Sequence, residues 1–211
     1  MSSFTVLETM LEEFTGIGGS AYSTRKSRAI NWAQVEINSV KWDFLFDEGT
    51  GFNTVAGTKV YSLDTDFLHP HKFYINDGST VYELIPGISE DIVLNPPSTT
   101  GVPKYYCLAG VSGGLPRVYI GYPTADDAYA VTYGFYKQLS DISGSTHSEI
   151  SIAWRDDPII TGAVYKFWQY VEEPAKAEQA YGKFWQAMKE MEENMPFTGE
   201  SWTSRHPLPQ G

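Results

Sequence analysis

The spacing of apolar residues changes twice along this chain, and these changes restrict the folds it can adopt. Residues 4–40 show the three- and four-residue spacing of amphipathic helices. From residue 42 to residue 150 the apolar residues fall in short runs separated by Gly, Pro, Asn and Asp, which is typical of strands. Helical spacing returns over residues 151–195. Because no predicted helix can bury its apolar face alone, we expect both ends of the chain to fold together.

These patterns predict an α+β protein with four parts. Residues 1–41 and 151–195 supply two helices each to a four-helix bundle, and residues 42–150 form an inserted antiparallel β-sandwich or barrel. Residues 196–211 form an extended C-terminal tail. The predicted apolar faces of the four helices are Phe4, Leu7, Leu11, Phe14; Ile30, Ala33, Ile37, Val40; Ile159, Ala163, Phe167, Tyr170; and Ala177, Tyr181, Phe184, Met188, Met191, Met195.

Local signals mark the element boundaries. Ser23 or Thr24 could cap the second helix, and Pro174 separates the third helix from the fourth. Asn76-Asp77-Gly78 predicts a hairpin between strands at 72–75 and 81–85, because such residues accept the positive φ angles of a tight turn. A second hairpin is predicted from 105–108 to 117–120 across the glycine-rich residues 110–114.

The charge balance opposes binding to nucleic acid by long-range attraction. The chain has 26 acidic and 15 basic residues, a net charge of -11. Residues 42–150 contain 13 acids and five bases and are the most acidic part. The 15% aromatic content excludes an intrinsically disordered chain.

Cysteine content and hydropathy limit the class of protein further. Cys107 is the single cysteine, so one chain can form neither a disulfide nor a cysteine-rich zinc site. No apolar run approaches the roughly 20 residues of a membrane span, and the N-terminus lacks the order of a secretory signal. We expect a chain that is made and kept in the cytoplasm, away from membranes.

The strongest metal candidate is His69-Pro70-His71, close to Asp64 and Asp66. His and carboxylate groups bind zinc or iron, and residues two apart on a strand share a face. However, Pro70 interrupts the strand, and the chain has four His residues in all. We therefore favour polar residues at the start of a strand and predict neither a metal nor a cofactor.

The sequence contains only weak matches to catalytic and cofactor-binding motifs. Asp126-Asp127 and Asp156-Asp157 could act as the two carboxylates of a glycosidase. Adjacent acids more often mark turns or helix starts, and Pro158 directly follows the second pair. The residues 16–21 match G-x-G-x-x-A, but they follow a helix instead of a strand, so a helix–helix link is favoured. We expect the protein not to be an enzyme.

The tail at 196–211 combines Pro and Gly with Phe197 and Trp202. Its composition opposes a helix, and Trp is a frequent anchor at protein interfaces. We therefore expect Trp202 to enter a groove on a partner. The alternative is that the tail folds back onto its own helices.

A series of motifs in the middle of the chain resembles the head-to-tail adaptor family of tailed bacteriophages, in particular the tail tubular protein A type of podoviruses. The resemblance covers residues 24–170 and depends on the order and spacing of the motifs. The motifs are Trp42-Asp43-Phe44-Leu45, Val60–Asp66, Thr100–Tyr106, Val118–Tyr129, Tyr133–Lys137 and the apolar helix after Pro158.

The resemblance implies a structural protein of the virion. Such adaptors form a ring, typically of twelve copies, beneath the portal protein at the capsid vertex after assembly in the host cytoplasm. The ring extends the DNA channel and presents a surface to the next tail protein, a nozzle or tail tube. The tail resembles the segments that dock onto portals, which implies these portal-binding residues: Phe197, Trp202, Arg205, His206 and Leu208.

A distal tail or baseplate protein is the main alternative. Such a protein would bind a receptor through its β-domain and would lie at the tip of the tail. An adaptor would lie at the capsid vertex, so the position in the virion separates the two hypotheses.

Overall fold

The computed structural model describes residues 2–87 and 99–206, and within them the chain has an α+β fold. The chain divides into two compact units. The helical unit comprises Met1–Phe44 and Gln138–Gly211, and the β unit comprises Leu45–Lys137. The β unit is therefore one continuous stretch, whereas the helical unit is assembled from both ends of the chain.

The described part of the helical unit contains six α-helices and a two-stranded sheet. The helices are α1 (Phe4–Thr15), α2 (Ser23–Asn38), α3 (Glu149–Ala153), α4 (Asp157–Tyr170), α5 (Pro174–Asn194) and α6 (Trp202–Arg205). The sheet pairs β1 (Lys41–Trp42) with β11 (Phe197–Thr198). Among the described helices, none combines the length and the apolar character needed to cross a membrane.

The link between α1 and α2 depends on glycine. Gly16 adopts a φ of +68°, and its N–H donates to the carbonyl of Glu12 at 2.8 Å, which ends α1. A 3-10 turn at Ser20–Tyr22 then leads into α2, so residues 16–21 form the predicted helix–helix link. The predicted cap of α2 is wrong, because no side chain caps this helix and the Ser23 hydroxyl donates to the Ser20 carbonyl at 3.0 Å.

The core of the helical unit lies where α2, α4 and α5 meet. A Cβ atom on Gly162 would lie 2.9 Å from the Phe184 ring and 3.0 Å from the Ala33 Cβ, so glycine allows this close approach. Phe14 is an exception among the predicted core residues, since it is 60% exposed in the last turn of α1. The buried apolar residues of the predicted faces include Leu7, Leu11, Ile30, Ala33, Ile37, Ile159, Ala163, Phe167, Phe184, Met188 and Met191.

Polar side chains on one face of α2 hold residues 138–148 in the helical unit. Asn38 Oδ1 accepts a hydrogen bond from the Leu139 N–H at 2.8 Å. Asn31 accepts from the Ile142 N–H at 2.8 Å and donates to the same residue's carbonyl at 3.2 Å. Because of these bonds, residues 138–150 belong to the helical unit, although their composition had placed them in the β segment.

The β unit contains two main sheets. The described strands are β2 (Phe46–Glu48), β3 (Phe52–Asn53), β4 (Val60–Ser62), β5 (Phe67–Asn76), β6 (Val81–Glu83), β7 (Ile85–Pro86), β8 (Tyr105–Ser112), β9 (Leu115–Gly121) and β10 (Ala130–Lys137). One sheet has five strands in the order β2-β10-β5-β6, with β3 also paired to β10, and the other has the order β4-β9-β8-β7. Among these strands every pair is antiparallel except β7–β8, which is parallel.

Both predicted hairpins are present, but the returning strand of the first, predicted over 81–85, ends at Glu83, and Ile85–Pro86 pairs with β8 in the other sheet. In β5–β6 the residues Asn76 and Val81 are opposite each other, and Gly78 supplies the positive φ of +91° in the turn. The Asp77 carboxylate accepts from the backbone N–H groups of Ser79 and Thr80 at 2.9 and 2.8 Å. Hydrogen bonds from the hydroxyl and N–H of Ser79, followed by the Thr80 N–H, lower the pKa of Asp77 to about 2. The β8–β9 hairpin is longer than predicted, with strands of eight and seven residues.

Side chains from both sheets form one aromatic-rich core in the β unit. Phe73 is fully buried and stacks on Tyr133 with ring centroids 4.9 Å apart and also meets Tyr106 at 4.5 Å. The cluster consists of Leu63, Phe67, Phe73, Ile75, Leu84, Tyr106, Val118, Ile120, Val131, Tyr133 and Phe135.

Candidate functional site

The C-terminal segment, residues 196–206, carries four of the five predicted binding residues. Its strand β11 pairs with β1 so that Phe197 is opposite Trp42, and the two rings meet edge to face at 5.5 Å. The Asp43 N–H also donates to the Pro196 carbonyl at 3.1 Å. The C-terminal segment is therefore held against the helical unit by backbone pairing at its start.

Trp202 is buried in the helical unit, with 1% of its surface exposed. Its ring lies edge to face against Phe184 at 5.0 Å, and its indole N–H donates to Glu36 Oε1 at 2.8 Å. The Trp202 ring therefore lies in the core of its own helical unit, as expected for the alternative in which the tail folds back onto its own helices. The expectation of an extended segment is wrong for residues 196–206, because α6 covers Trp202–Arg205. The physical reason is that α5 offers an aromatic surface, and Glu36 satisfies the one polar atom of the indole ring.

Glu192 fixes the start of the short helix α6. Its carboxylate accepts hydrogen bonds from the Trp202 N–H and from the Thr203 N–H and hydroxyl. Ser201 caps the same helix, since its hydroxyl oxygen accepts from the Ser204 N–H at 3.1 Å. These acceptors satisfy the N–H groups that a helix start leaves without partners.

Arg205 and His206 lie at the end of the C-terminal segment and are more accessible. Arg205 donates through Nη2 to the Ser39 carbonyl at 3.3 Å and to the Ser39 hydroxyl at 3.2 Å. The His206 ring stacks on Trp202 at 4.6 Å, and its Nε2 lies 3.5 Å from Glu36 Oε1. Leu208, the fifth predicted residue, lies outside the described residues.

The backbone of His206 is also fixed. Its carbonyl accepts from the Trp185 indole N–H at 2.9 Å and from the Tyr181 hydroxyl at 3.5 Å. The composition of residues 196–211 indicates a distinct C-terminal segment, but it does not indicate the residues that hold it, chiefly Glu36, Ser39 and Glu192. No spacing pattern could reveal them, because Glu36 and Trp202 are 166 residues apart in sequence.

The metal candidates lie on and before β5 but do not form a metal site. Within the described residues, no group of three His, Cys, Asp or Glu side chains could hold an ion. His71 lies edge to face against Phe46 at 5.4 Å and Tyr136 at 6.0 Å.

Asp64 instead fixes a turn in the β unit. Its carboxylate accepts from the Thr50 hydroxyl at 2.5 Å and the Thr50 N–H at 3.1 Å, and from the Tyr133 hydroxyl at 2.7 Å. Partial burial opposes ionisation of Asp64, but these hydrogen bonds outweigh it and lower the pKa. Burial and the bond to Asp64 raise the pKa of the Tyr133 hydroxyl.

One member of each acid pair accepts a hydrogen bond from a hydroxyl group. Asp126 accepts from the Tyr129 hydroxyl at 2.5 Å, and this bond raises the pKa of Tyr129 to about 12. Asp156 accepts from the Ser2 hydroxyl at 2.5 Å, and α4 begins at Asp157 as predicted for a helix start. Each pair thus lies in a turn or helix start.

A model of the SU10 adaptor protein family matches residues 14–206 of the chain. This range includes the whole β unit and the whole C-terminal segment, and in the helical unit it leaves out most of α1. No curated protein matches the chain.

Proposed function

Because the chain belongs to the SU10 adaptor protein family, a family of phage head-to-tail adaptors, we propose that it forms a ring beneath the portal. The proposed ring has twelve copies, extends the DNA channel used in packaging and ejection, and attaches the next tail protein. Its place is the portal vertex, after assembly in the host cytoplasm. The family match over residues 14–206 is the observation that carries this proposal.

The charge of both units supports a channel role. The helical unit contains 16 acidic and 10 basic residues, and the β unit contains 10 acidic and five basic residues. A negative wall repels the phosphate backbone, so that a duplex passes without binding. We propose no catalytic step, cofactor or metal for this function.

We further propose that the helices α1, α2, α4 and α5 form a four-helix bundle and that the two main sheets form a β-sandwich. Contacts of α1 with α2 and α4, of α2 with α4 and of α4 with α5 support the bundle. The shared aromatic core supports the sandwich. Two unlike units would give the ring two unlike surfaces for the portal and the next tail protein.

In this proposal the C-terminal segment docks onto the portal. Trp202 and Phe197 act as internal anchors, since both contact the helical unit. Arg205 and His206 end the described part of the segment, and together with Leu208 they would contact the portal directly. Arg205 is exposed and bonded only to Ser39 in the described structure, so its guanidinium retains free donors.

Deletion of residues 207–211 tests the docking role without removing Trp202 from its buried position. We expect the shortened chain to keep the unfolding temperature of the full chain and to co-sediment less with portal rings from the same phage, because Leu208 is removed while Arg205 and His206 remain. A deletion from Pro196 is unsuitable, because it would also remove the buried Trp202 ring. Binding equal to that of the full chain would contradict the docking role.

A distal receptor-binding role is the second candidate, and one groove favours it. The outer face of the five-stranded sheet forms a groove of about 480 Å³ lined in part by Phe46, His71 and Tyr74. Phe46 is 42% exposed there and could contact a ligand. Immunogold labelling of virions separates the two candidates, since an adaptor is labelled at the capsid vertex and a receptor binder at the tail tip.

A further inference from the structure

A row of residues at helical spacing runs along one side of α2. The intervals between them are three, four, four and three residues, and the row consists of Arg25, Arg28, Trp32, Glu36 and Ser39. At about 1.5 Å per residue, the row is roughly 21 Å long. Arg25 and Arg28 are exposed and Trp32 is half-buried, so the first half of the row is a cationic surface in contact with solvent.

A lysine from α4 joins this row at its middle. The Lys166 Nζ lies 4.9 Å from the centroid of the Trp32 ring and 5.4 Å from that of the Tyr170 ring. At the start of the row, the guanidinium carbon of Arg25 lies 5.7 Å from the Tyr22 ring centroid. Contacts with aromatic rings hold these cations in place without neutralising their charge.

The same cations have no acidic neighbours in the two sequence segments that carry them. Residues 14–35 and 158–171 contain no Asp or Glu, although the whole chain contains 26 acidic residues. Within the described part of the chain, Arg25, Arg28 and Lys166 form no ion pair. Their positive charge is therefore not neutralised locally, in contrast to the net charge of -11 on the whole chain.

The far end of the row meets the C-terminal segment. Arg205 donates to the carbonyl and the hydroxyl of Ser39, and His206 Nε2 lies 3.5 Å from Glu36 Oε1. Glu36 is the one acid in the row, and its carboxylate already accepts from the Trp202 indole N–H. Basic residues of α2, α4 and the C-terminal segment thus form one surface, which we call the basic stripe: Arg25, Arg28, Lys166, Arg205 and His206.

We propose that the basic stripe binds an acidic surface of the portal. Charge complementarity requires an anionic partner, and Arg guanidinium groups pair well with carboxylates. The phosphate backbone of nucleic acid is also anionic, but the stripe continues the surface that the proposed function assigns to portal docking. This inference rests on the proposed function and extends the docking surface from the C-terminal segment along α2 to Arg25.

Charge reversal of the two exposed arginines tests the inference. We expect full-length chain carrying Arg25→Glu with Arg28→Glu to bind portal rings from the same phage at least about tenfold more weakly in co-sedimentation. The unfolding temperature should be retained, because Glu suits the first turns of a helix. Arg25→Gln with Arg28→Gln removes the charges without adding carboxylates and should weaken binding by a smaller factor. Undiminished binding by both double variants would overturn the inference.

Lys176→Glu with Lys183→Glu is the matched control. Both lysines are exposed on α5, outside the basic stripe, and the substitutions change the net charge by the same amount. We expect this control to retain most of the affinity for portal rings. Equal weakening by the control and by the arginine variant would show an effect of net charge alone and would overturn the inference.

A short labelled DNA duplex tests the other anionic partner. Fluorescence anisotropy at physiological salt should show no binding of the duplex to the wild type, because the chain as a whole is acidic. Duplex binding that is lost in Arg25→Glu with Arg28→Glu, while portal binding is unchanged, would assign the stripe to nucleic acid and overturn the inference.

The outcomes separate this inference from the proposed function. Portal binding by the wild type that the arginine variant retains would support the adaptor role and overturn the stripe alone. Absence of portal binding by the folded wild type at saturating concentrations would contradict the adaptor role and the stripe together.

Discussion

In the β unit, backbone ladders and stacked rings fix the strands, whereas in the helical unit individual side chains fix the segments between the helices. The β5–β10 ladder runs from Asn76 to Phe67, and its side chains enter one aromatic core. Residues 138–142 of the helical unit depend on the amides of α2, and residues 202–204 depend on Glu192 and Ser201. Repeated backbone pairing tolerates the loss of one bond, but a single anchoring side chain has no substitute.

The largest expected effects come from removing one buried ring in each unit. Trp202→Ala and Phe73→Ala should each lower the free energy of unfolding by about 3–5 kcal/mol, measured by urea denaturation. Hydrogen exchange should show lost protection in the C-terminal segment for Trp202→Ala and in β5 and β10 for Phe73→Ala. Trp202→Phe is the control and should lose less. A Trp202→Ala variant as stable as the wild type would show that the helical unit does not depend on this buried ring.

A smaller effect is expected from removing the side-chain amide of Asn38, which anchors Leu139. Asn38→Ala should lower the free energy of unfolding by about 1–3 kcal/mol, because the buried Leu139 N–H loses its acceptor. Val35→Ala on the same helix is the control, since Val35 is 53% exposed and should change stability by less than about 0.5 kcal/mol. Equal effects of the two substitutions would show that the amide does not anchor residues 138–142.

Two glycines of the helical unit should respond in opposite directions. Gly162→Ala should destabilise by about 1–3 kcal/mol, because its Cβ would meet Phe184 and Ala33. Gly182→Ala in α5 should stabilise by about 0.5–1 kcal/mol, since its Cβ meets no atom within 4 Å and Gly weakens a helix interior. Thermal unfolding measures both changes in stability. Destabilisation by Gly182→Ala would contradict the open space around Gly182.

The smallest expected effect is the contribution of Asp64 to the pH dependence of stability in the β unit. The pKa of Asp64 is lower in the folded chain than in the unfolded chain, so the unfolded state binds more protons as the pH falls. The stabilisation from Asp64 is therefore complete above its ordinary pKa and is lost as the pH falls through the folded value. The wild type and Asp64→Asn should differ in the free energy of unfolding, measured by urea denaturation. This difference should shrink as the pH falls from the ordinary pKa of Asp64 to its lower value in the folded chain. A constant difference would contradict the assigned hydrogen bonds.

Local patterns predicted much of the fold. The turn at residues 76–80 was predictable because Asp77 and Gly78 determine it locally, and Pro174 marked the start of α5 for the same reason. The apolar faces of α2 and α4 were also readable from periodicity. Such features depend on neighbours within a few residues, which a single sequence displays directly.

Contacts between distant residues were not predictable. Composition placed the boundaries of the middle segment at residues 42 and 150, while the β unit ends at Lys137 because Asn31, Asn38 and Gln34 bind the residues that follow it. The burial of Trp202 depends on Glu36, at the other end of the chain. The tail was therefore recognisable as a distinct segment, but its position was not.

Electron microscopy of the purified full-length chain mixed with portal rings from the same phage tests whether this protein is a head-to-tail adaptor. We expect a second ring stacked coaxially on the portal, with the C-terminal segment at the interface between the two rings. Bare portal rings at saturating concentrations of the chain, with both proteins folded, would contradict the adaptor role.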